Sequence, residues 1–346
     1  MTPKVVVSGG AGWINDVAQG LEAAGCRVVR APGPEPGRKM LAFSPDQIQE
    51  YLSDADAFVT ILREDYSREV LEACTKLKIG CSAIIGTENI DVEAATDLGI
   101  VIGWGAIPEN YDGVAEAIVM LAAALVKRLP SKWEAVRSGG WRVEDAGQMV
   151  AKRTLGMVGL GNIGRGVARR LAGWEMELLA ADPYVSQEDA AAHGVKLVDL
   201  DTLMRESDIV SVQVVLTAET RGMIGEEELS LMKPSAYLIN TSRGPVVDEV
   251  ALTRALNEDR LAGAALDVWA DEPTSLDNPL RTHARVIATG HNLGHSIEGY
   301  QGLARAAVDN TLRGLRGEEP LYIRNPKVLP AWRERLARLG MAAVST

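Results

Sequence analysis

The sequence predicts an α/β protein with two doubly wound parallel sheets, one in each of two domains. Short apolar runs of strand length alternate with amphipathic segments of helical spacing, a pattern typical of parallel sheets covered by helices. A glycine-rich turn near the middle of the chain joins one such run to a helix. The length of 346 residues also exceeds the size at which a single core usually stops growing.

Composition limits the compartments and partners that fit this chain. A net charge of -11 and a pI near 5.0 argue against a nucleic-acid backbone as the partner. No apolar run approaches the ~18 residues of a membrane span, and the one at the N-terminus is too short for a signal peptide. The three cysteines show neither paired nor metal-type spacing. We therefore expect a cytoplasmic protein without a membrane partner.

Residues 4–102 form the first predicted α/β unit. It opens with a strand and a glycine-containing turn, but Gly10-x-Gly12 lacks a third glycine because Asn15 stands at that position. A plain strand-to-helix turn is therefore favoured over a second nucleotide site. Strands are expected at residues 4–8, 26–30, 57–62, 79–84 and 99–102, and helices at residues 45–53, 67–74 and 92–98.

A second α/β unit follows a long amphipathic helix that is predicted over residues 111–126. Between them lies a polar segment, residues 127–150, which Pro130 and a glycine pair interrupt. We expect it to be either a loop over its own domain or an arm around a partner subunit. A helix over residues 297–315 and a proline-containing tail end the chain. Strands are expected at residues 154–158, 176–181, 195–198, 209–214, 236–239, 263–266 and 286–288.

The turn Gly159-x-Gly161-x-x-Gly164 predicts a dinucleotide site. The first glycine permits a tight turn, the second lets a pyrophosphate approach the backbone, and the third lets the helix pack closely on the strand. Free N–H groups at the start of the helix then hold the phosphates. The next apolar run ends on Asp182, 21 residues after Gly161. A carboxylate there accepts hydrogen bonds from the ribose hydroxyls and repels a 2′-phosphate, which favours NAD over NADP.

Three later strand ends carry an arginine, an acid and a histidine. Arg243, Glu272 and His291 follow the strands expected at residues 236–239, 263–266 and 286–288. Ligands of open α/β sheets bind at the carboxyl ends of strands, so these side chains are expected to form one site. Histidine supplies a proton near neutral pH, and a carboxylate beside it stabilises the imidazolium. The planar fork of an arginine suits a substrate carboxylate.

These motifs together resemble the D-isomer-specific 2-hydroxyacid dehydrogenases, which include glyoxylate/hydroxypyruvate reductases and phosphoglycerate dehydrogenases. The resemblance spans nearly the whole chain. It implies hydride transfer between NADH and a 2-oxo acid, with Arg243 binding the substrate carboxylate and carbonyl. It also implies that His291 is the proton donor and that Glu272 is its hydrogen-bond partner. The motifs that carry the resemblance are residues 159–164 with Asp182, and residues 216–221, 240–244, 267–273 and 291–296.

The same resemblance implies the domain organisation and the remaining site residues. A flavodoxin-like substrate domain, residues 1–107 with 297–346, would hold an inserted Rossmann NAD domain, residues 108–296. The segment at about 127–150 would be its dimerisation arm, so we expect a homodimer. The N–H groups of Ile85 and Gly86 would hold the substrate carboxylate, with Asn110 near the domain junction. The cofactor contacts that it implies are Gly159, Gly161, Asn162, Ile163, Gly164, Asp182, Leu216, Thr217, Thr241, Ser242, Asp267 and Gly294.

Several residues depart from the family pattern and indicate an unusual substrate. Few cations besides Arg243 are visible near the expected pocket, which favours a small or apolar 2-oxo acid over a phosphorylated one. The linker before Asn110 is one residue longer, which would bring Trp104 close to the site. The other departures are Ile84, Gln213, Val215, Gly290 and His295.

Three alternative functions were weighed against these residues. A metal site at His291 and His295 is disfavoured because Gly294 lies between them and no HExxH-type acid pattern is present. Formate dehydrogenases share the fold but resemble a variant of this site in which glutamine stands at the position of Glu272. The acid at this position therefore favours ketone reduction in this chain. A regulatory scaffold that only senses NAD(H), as corepressor relatives do, stays open because such relatives can retain the three catalytic side chains.

Overall fold

The computed structural model describes residues 2–8, 12–33, 40–142, 144 and 146–341. The chain divides into two compact units. One consists of Met1–Asn110 and Ser296–Thr346, and the other of Tyr111–His295. Residues 9–11, which make up most of the N-terminal glycine turn, lie outside the described residues, as do residues 143 and 145 of the predicted arm. The substrate and cofactor roles of the two units stay predictions.

The first unit contains a parallel sheet with the strand order β2-β1-β4-β6-β7, and a separate two-stranded pair, β3-β5. The larger sheet has the flavodoxin-like order, in which the first strand lies inside the sheet. Four of its strands are fully buried because helices cover both faces of the sheet, whereas the edge strand β2 begins and ends with an arginine. The strands are β1 (Lys4–Val7), β2 (Arg27–Arg30), β3 (Leu41–Ala42), β4 (Ala57–Thr60), β5 (Glu64–Asp65), β6 (Ile79–Ser82) and β7 (Val101–Gly103). The helices between them are α1 (Ile14–Ala23), α2 (Pro45–Gln47), α3 (Arg68–Ala73) and α4 (Val92–Asp97).

The second unit contains a parallel sheet with the order β10-β9-β8-β11-β12-β13-β14. The strand order reverses between β8 and β11, which is the place where ligands of doubly wound sheets bind. Two helices precede this sheet, α5 (Pro108–Val126) and α6 (Leu129–Arg137). The strands are β8 (Thr154–Val158), β9 (Glu177–Ala181), β10 (Lys196–Leu197), β11 (Ile209–Val212), β12 (Tyr237–Asn240), β13 (Gly263–Leu266) and β14 (Val286–Ala288). The helices are α7 (Asn162–Leu171), α8 (Gln187–Ala191), α9 (Leu200–Glu206), α10 (Glu226–Leu231) and α11 (Glu249–Asn257).

The chain then returns to the first unit with α12 (Ile297–Arg316) and α13 (Leu329–Arg338). The prediction of parallel α/β sheets is confirmed. No helix in the described part of the chain has both the length and the apolar character that a membrane crossing requires. All three cysteines are free and buried, consistent with a packing role.

Two irregular segments predicted from the sequence are partly helical. Residues 127–150 contain α6, and the C-terminal tail contains α13. Pro130 is predicted to interrupt its segment, but it lies in the first turn of α6, as Pro330 does in α13. The backbone N–H that proline lacks would have no partner within the helix at that position. Trp332 of α13 is fully buried, and its indole N–H donates to the Lys78 carbonyl at 2.7 Å. The tail is therefore part of the core of the first unit.

Candidate active site

The predicted arginine, acid and histidine follow three neighbouring strands of the second unit. β12 pairs with β13 and β13 with β14, all parallel, so their carboxyl ends lie side by side. His291 Nδ1 and Glu272 Oε2 are 2.7 Å apart. The positive charge of Arg243 also acts on the carboxylate of Glu272. The structure thus brings together the three side chains that the strand ends predicted.

Glu272 is held as a carboxylate by its surroundings. Its second oxygen, Oε1, accepts the backbone N–H of Trp269 at 3.0 Å. Burial raises the pKa of Glu272, but the hydrogen bond with His291, the Trp269 N–H and the charges of His291 and Arg243 together bring that pKa below its ordinary value. A carboxylate can only accept, so we infer that His291 Nδ1 carries the proton of the shared hydrogen bond. Nε2 of the ring is then left for a reacting group.

The backbone of His291 is left-handed, with φ at +56°, a conformation that non-glycine residues seldom adopt. Asp267, directly after β13, holds the loop in this shape. Its carbonyl accepts the N–H of His291 at 2.6 Å. Its buried carboxylate accepts the N–H groups of Asn292 at 3.1 Å and Leu293 at 3.3 Å, and the Thr289 hydroxyl at 2.6 Å. The loop that carries His291 is therefore fastened to the end of the neighbouring strand.

Trp269 links the segment that carries Glu272 to the loop that carries His291. Its indole N–H donates to the carbonyl of Thr289 at 2.8 Å, while its backbone N–H binds Glu272. The side chain is only 4% exposed. Sequence reasoning assigned Asp267 to the cofactor and overlooked Trp269. Asp267 and Trp269 follow a buried strand and lie within five residues of Glu272. That position in the sequence is the signal that could have predicted their role in holding Glu272 and His291 in place.

The glycine turn after β8 has the geometry that its spacing predicts. Gly159 has a φ of +99°, and a Cβ on Gly164 would lie 2.7 Å from the Gly159 carbonyl oxygen. A Cβ on Gly161 would meet only open space. Gly161 is also the residue before α7, and no side chain there caps the N–H groups at the start of that helix. Gln213 donates from Nε2 to the Gly159 carbonyl at 3.3 Å and steadies the turn. An open glycine cradle below an uncapped helix start suits a phosphate group.

Asp182 lies beside this turn, as its spacing predicts. It follows β9, and its Oδ2 accepts the N–H of Leu160, inside the turn, at 2.8 Å. Its Oδ1 accepts the N–H of Tyr184 at 2.9 Å. The carboxylate and the phosphate cradle are therefore neighbours.

The remaining residues predicted to contact a cofactor differ in whether they already form hydrogen bonds or close packing contacts within the protein. Thr241 has a buried hydroxyl oxygen without a hydrogen-bond partner among the described residues. The Ser242 hydroxyl donates to Asn240 at 2.9 Å. A Cβ on Gly294 would lie 2.6 Å from a methyl group of Val114, so close packing on α5 alone requires glycine there.

The loop over residues 216–221 is held by its own side chains. The N–H of Thr217 donates to the Thr220 hydroxyl at 2.8 Å, and Thr217 itself is exposed. Leu216 packs against the core of the second unit. Asn162 is exposed in the first turn of α7, and Ile163 packs against the other core of that unit.

The turn predicted to bind the substrate carboxylate belongs to the first unit and follows β6. The Ser82 hydroxyl donates to the carbonyl of Gly86 at 2.5 Å, which fixes the turn from inside. Among the described residues, the backbone N–H groups of Ile85 and Gly86 have no acceptor. Two adjacent free N–H groups form a small anion site. Asn110 lies in the first turn of α5, at the boundary of the two units.

Metal-type clusters are not found among the described residues, where no group of three His, Cys, Asp or Glu side chains is suitably placed. His295 lies close enough to His291 for their charges to interact. Burial, together with that nearby charge, lowers the pKa of His295 below its ordinary value, while Asp267 acts weakly in the opposite direction. His295 is therefore neutral at neutral pH.

Comparison with known proteins gives this site its context. Residues 119–292 match the sequence model of the D-isomer specific 2-hydroxyacid dehydrogenase, NAD binding domain. A glyoxylate reductase of Korarchaeum cryptofilum is 40% identical over 289 residues, which cover 82% of this chain and 86% of that protein. The chain belongs to the D-isomer-specific 2-hydroxyacid dehydrogenases. The family resemblance predicted from the sequence is confirmed.

Two further relatives show the range of this family. A D-3-phosphoglycerate dehydrogenase of Methanocaldococcus jannaschii is 36% identical over 296 residues, and the match spans 85% of this chain but 56% of that protein. The crystal structure of a D-lactate dehydrogenase from Aquifex aeolicus, complexed with NAD and lactic acid, has a TM-score of 0.80 and 26% identity. That match covers 93% of this chain and 99% of the other. This dehydrogenase is accordingly an NAD-dependent oxidoreductase.

We expect Asp267→Asn to lower turnover by a larger factor than it weakens NADH binding, although Asp267 is also a predicted cofactor contact. An amide keeps the size of the side chain but turns one acceptor into a donor. In either orientation that donor would face the N–H group of Leu293, which both carboxylate oxygens accept. His291 would then be poorly held, and kcat should fall roughly 10- to 100-fold, about 1.4–2.7 kcal/mol of barrier. Steady-state kinetics with a 2-oxo acid, alongside NADH fluorescence titration, measure the two effects.

Asp277→Asn provides the matched control, since this acid is exposed in the same unit. It should behave like the wild type. Wild-type kcat in a folded Asp267→Asn variant would contradict the positioning role of Asp267.

Proposed function

We propose that this dehydrogenase reduces a 2-oxo acid to the D-2-hydroxy acid with NADH, using Arg243, Glu272 and His291. The observation that carries the proposal is the 2.7 Å contact between His291 Nδ1 and the Glu272 carboxylate. It supports a protonated imidazole whose Nε2 donates a proton to the substrate carbonyl. Reduction of a ketone places negative charge on that oxygen, so a proton donor there lowers the barrier.

Each of the three side chains has a distinct task in this proposal. NADH supplies the hydride that reaches the carbonyl carbon. His291 protonates the carbonyl oxygen, and Glu272 stabilises the imidazolium and fixes its orientation. Arg243 holds the substrate carboxylate and carbonyl oxygen with its planar guanidinium. The overall reaction consumes one hydride and one proton for each 2-hydroxy acid formed.

The second unit provides the proposed NAD site. The open cradle at Gly161, the uncapped start of α7 and the orphaned hydroxyl of Thr241 fit a dinucleotide with its pyrophosphate at the helix. Asp182 would take the ribose hydroxyls, and no arginine adjoins it in the sequence to accept a 2′-phosphate. The other contacts proposed for NAD are Gly159, Asn162, Ile163, Gly164, Leu216, Thr217, Ser242, Asp267 and Gly294.

The first unit provides the proposed substrate turn. The free N–H groups of Ile85 and Gly86 suit one carboxylate. We assign substrate binding to residues 1–107 with 297–346, including the carboxylate turn, and NAD binding to residues 108–296. Asn110, near the junction of these two assignments, is proposed to contact the substrate. Glu272 also favours ketone reduction over formate oxidation, because a carboxylate stabilises the protonated histidine that a ketone requires.

His291→Ala should lose most turnover while it retains NADH. Removing the proton donor is expected to lower kcat for 2-oxo acid reduction by roughly 100- to 10,000-fold. NADH binding should change little, because His291 is not among the residues assigned to the cofactor. The measurement is a panel of 2-oxo acids with NADH, followed at the nicotinamide absorbance, with fluorescence titration for binding.

The same panel separates the enzyme from a regulatory scaffold. Tight NADH binding by the wild type without turnover of any 2-oxo acid would favour the NAD(H)-sensing alternative. Joint loss of turnover and NADH binding in His291→Ala would instead indicate that His291 has a structural role.

We also propose that the protein is a homodimer joined through the arm, residues 127–150, and the adjoining face of α5. Large apolar side chains are concentrated there and left exposed, as expected of a surface that another subunit covers. Trp133 is 62% and Trp141 79% exposed. The exposed apolar side chains of this face are Met120, Leu129, Trp133, Val136, Trp141 and Met149.

Sedimentation equilibrium should give twice the chain mass for the wild type and a lower mass for Trp133→Glu, because a charge at the centre of an apolar contact opposes association. Leu276→Glu is the control, since Leu276 is 82% exposed in the same unit but outside the arm. It should stay dimeric. A monomeric wild type would contradict the proposal.

A further inference from the structure

A cation from the C-terminal tail lies against the proposed substrate turn. Arg324 donates from Nε to the hydroxyl of Thr87 at 3.3 Å, and Thr87 directly follows Gly86. The guanidinium carbon also lies 5.2 Å from the ring centroid of Trp104. The backbone N–H of Arg324 donates to the Ile102 carbonyl at 2.8 Å, which fastens the tail along β7.

Arg324 has no acidic partner within the described ranges, unlike three other arginines from the C-terminal part of the same unit. Arg305, Arg313 and Arg333 form ion pairs with Glu109, Glu318 and Glu319, respectively. The guanidinium of Arg324 forms no ion pair with a described carboxylate. A charge that the protein leaves unneutralised next to a ligand turn is available to the ligand.

Trp104 holds this guanidinium in place. Its backbone N–H donates to the Tyr322 carbonyl at 3.2 Å, and its carbonyl accepts Asn310 Nδ2 at 3.4 Å. The backbone that carries the indole is therefore fixed. The face of the ring restricts the arginine stacked on it, so less side-chain entropy is lost when an anion binds. Trp104 and Arg324 act as one unit in this arrangement.

The separation between the two anion-binding groups suits a short diacid. Backbone dimensions place the guanidinium within about 10 Å of the N–H groups of Ile85 and Gly86, because only Thr87 intervenes. A five-carbon 2-oxo diacid spans about 5 Å between its carboxyl carbons. A hydrogen bond of about 2.8 Å at each carboxylate lengthens the span of the diacid. The total is then comparable with the distance between the guanidinium and the two N–H groups.

We propose that Arg324, stacked on Trp104, binds a second anionic group at the far end of the 2-oxo acid. The inference rests on the proposed function and names its substrate class: 2-oxo acids with a distal carboxylate or phosphate, in preference to monocarboxylic ones. It differs from the prediction of a small or apolar substrate, which considered few cations near the pocket besides Arg243.

The test compares three substrates that differ at the far end. Values of kcat/KM are measured with NADH for 2-oxoglutarate, for 2-oxopentanoate, which has the same chain length without the second carboxylate, and for 3-phosphohydroxypyruvate. The wild type should prefer one of the two dianionic substrates by roughly tenfold or more. Arg324→Ala should lower kcat/KM for that substrate about 10- to 100-fold through KM, with 2-oxopentanoate nearly unchanged. Arg324→Lys should restore part of the loss.

Two variants serve as controls for charge and position. Arg338→Ala removes an exposed arginine at the end of α13, and Arg63→Ala removes one from the loop after β4 at the same sheet edge. Both should retain the wild-type preference. Loss of the preference in Arg63→Ala but not in Arg324→Ala would overturn the proposal.

The remaining outcomes separate this inference from the proposed function. Equal kcat/KM for 2-oxopentanoate and both dianions, or an equal loss for all three in Arg324→Ala, would overturn the subsite. Thermal unfolding with NADH and each acid repeats the comparison without turnover: a stabilisation by dianions that depends on Arg324 supports the subsite, and its absence opposes it. Failure of the wild type to turn over any acid would contradict the proposed function alone.

Discussion

The hydrogen bond between His291 and Glu272 is the contact on which the proposed chemistry depends. It joins the loop after β14 to the loop after β13, and its 2.7 Å length holds the imidazole in one orientation. The pKa of the Glu272 carboxyl lies below its ordinary value, so this group is a charged carboxylate at neutral pH. A fixed negative charge beside the ring favours the protonated imidazole that ketone reduction needs.

The surrounding residues can be understood as supports for that contact. His291 adopts a left-handed backbone that would relax if its loop were free, and Asp267 prevents this by accepting hydrogen bonds from the loop on both sides of it. Trp269 fixes Glu272 through its backbone and the loop of His291 through its indole. Parallel strands bring these supports within reach because their carboxyl ends share one edge of the sheet.

The sequence predicts features that depend on local spacing, and misses those that depend on the path of a loop. Glycine spacing predicts the turn proposed to hold phosphate, and strand ends predict the three side chains that are proposed to carry the chemistry. The role of Asp267 rests on backbone N–H groups 25 and 26 residues away, which no spacing rule specifies. Arg324 reaches Thr87 across 237 residues of sequence, so a pattern cannot locate it. The prediction that Pro130 interrupts its segment is wrong because proline can begin a helix as well as interrupt one.

The value of kcat/KM for 2-oxo acid reduction, compared between the wild type and Glu272→Gln at one pH, tests this account most directly. An amide keeps the size of the Glu272 side chain and removes the negative charge that stabilises a protonated imidazole. We expect kcat/KM to fall roughly 10- to 100-fold, with NADH binding close to that of the wild type. A folded Glu272→Gln protein with the kcat/KM of the wild type would contradict the claim that the charge of Glu272 supports proton donation by His291.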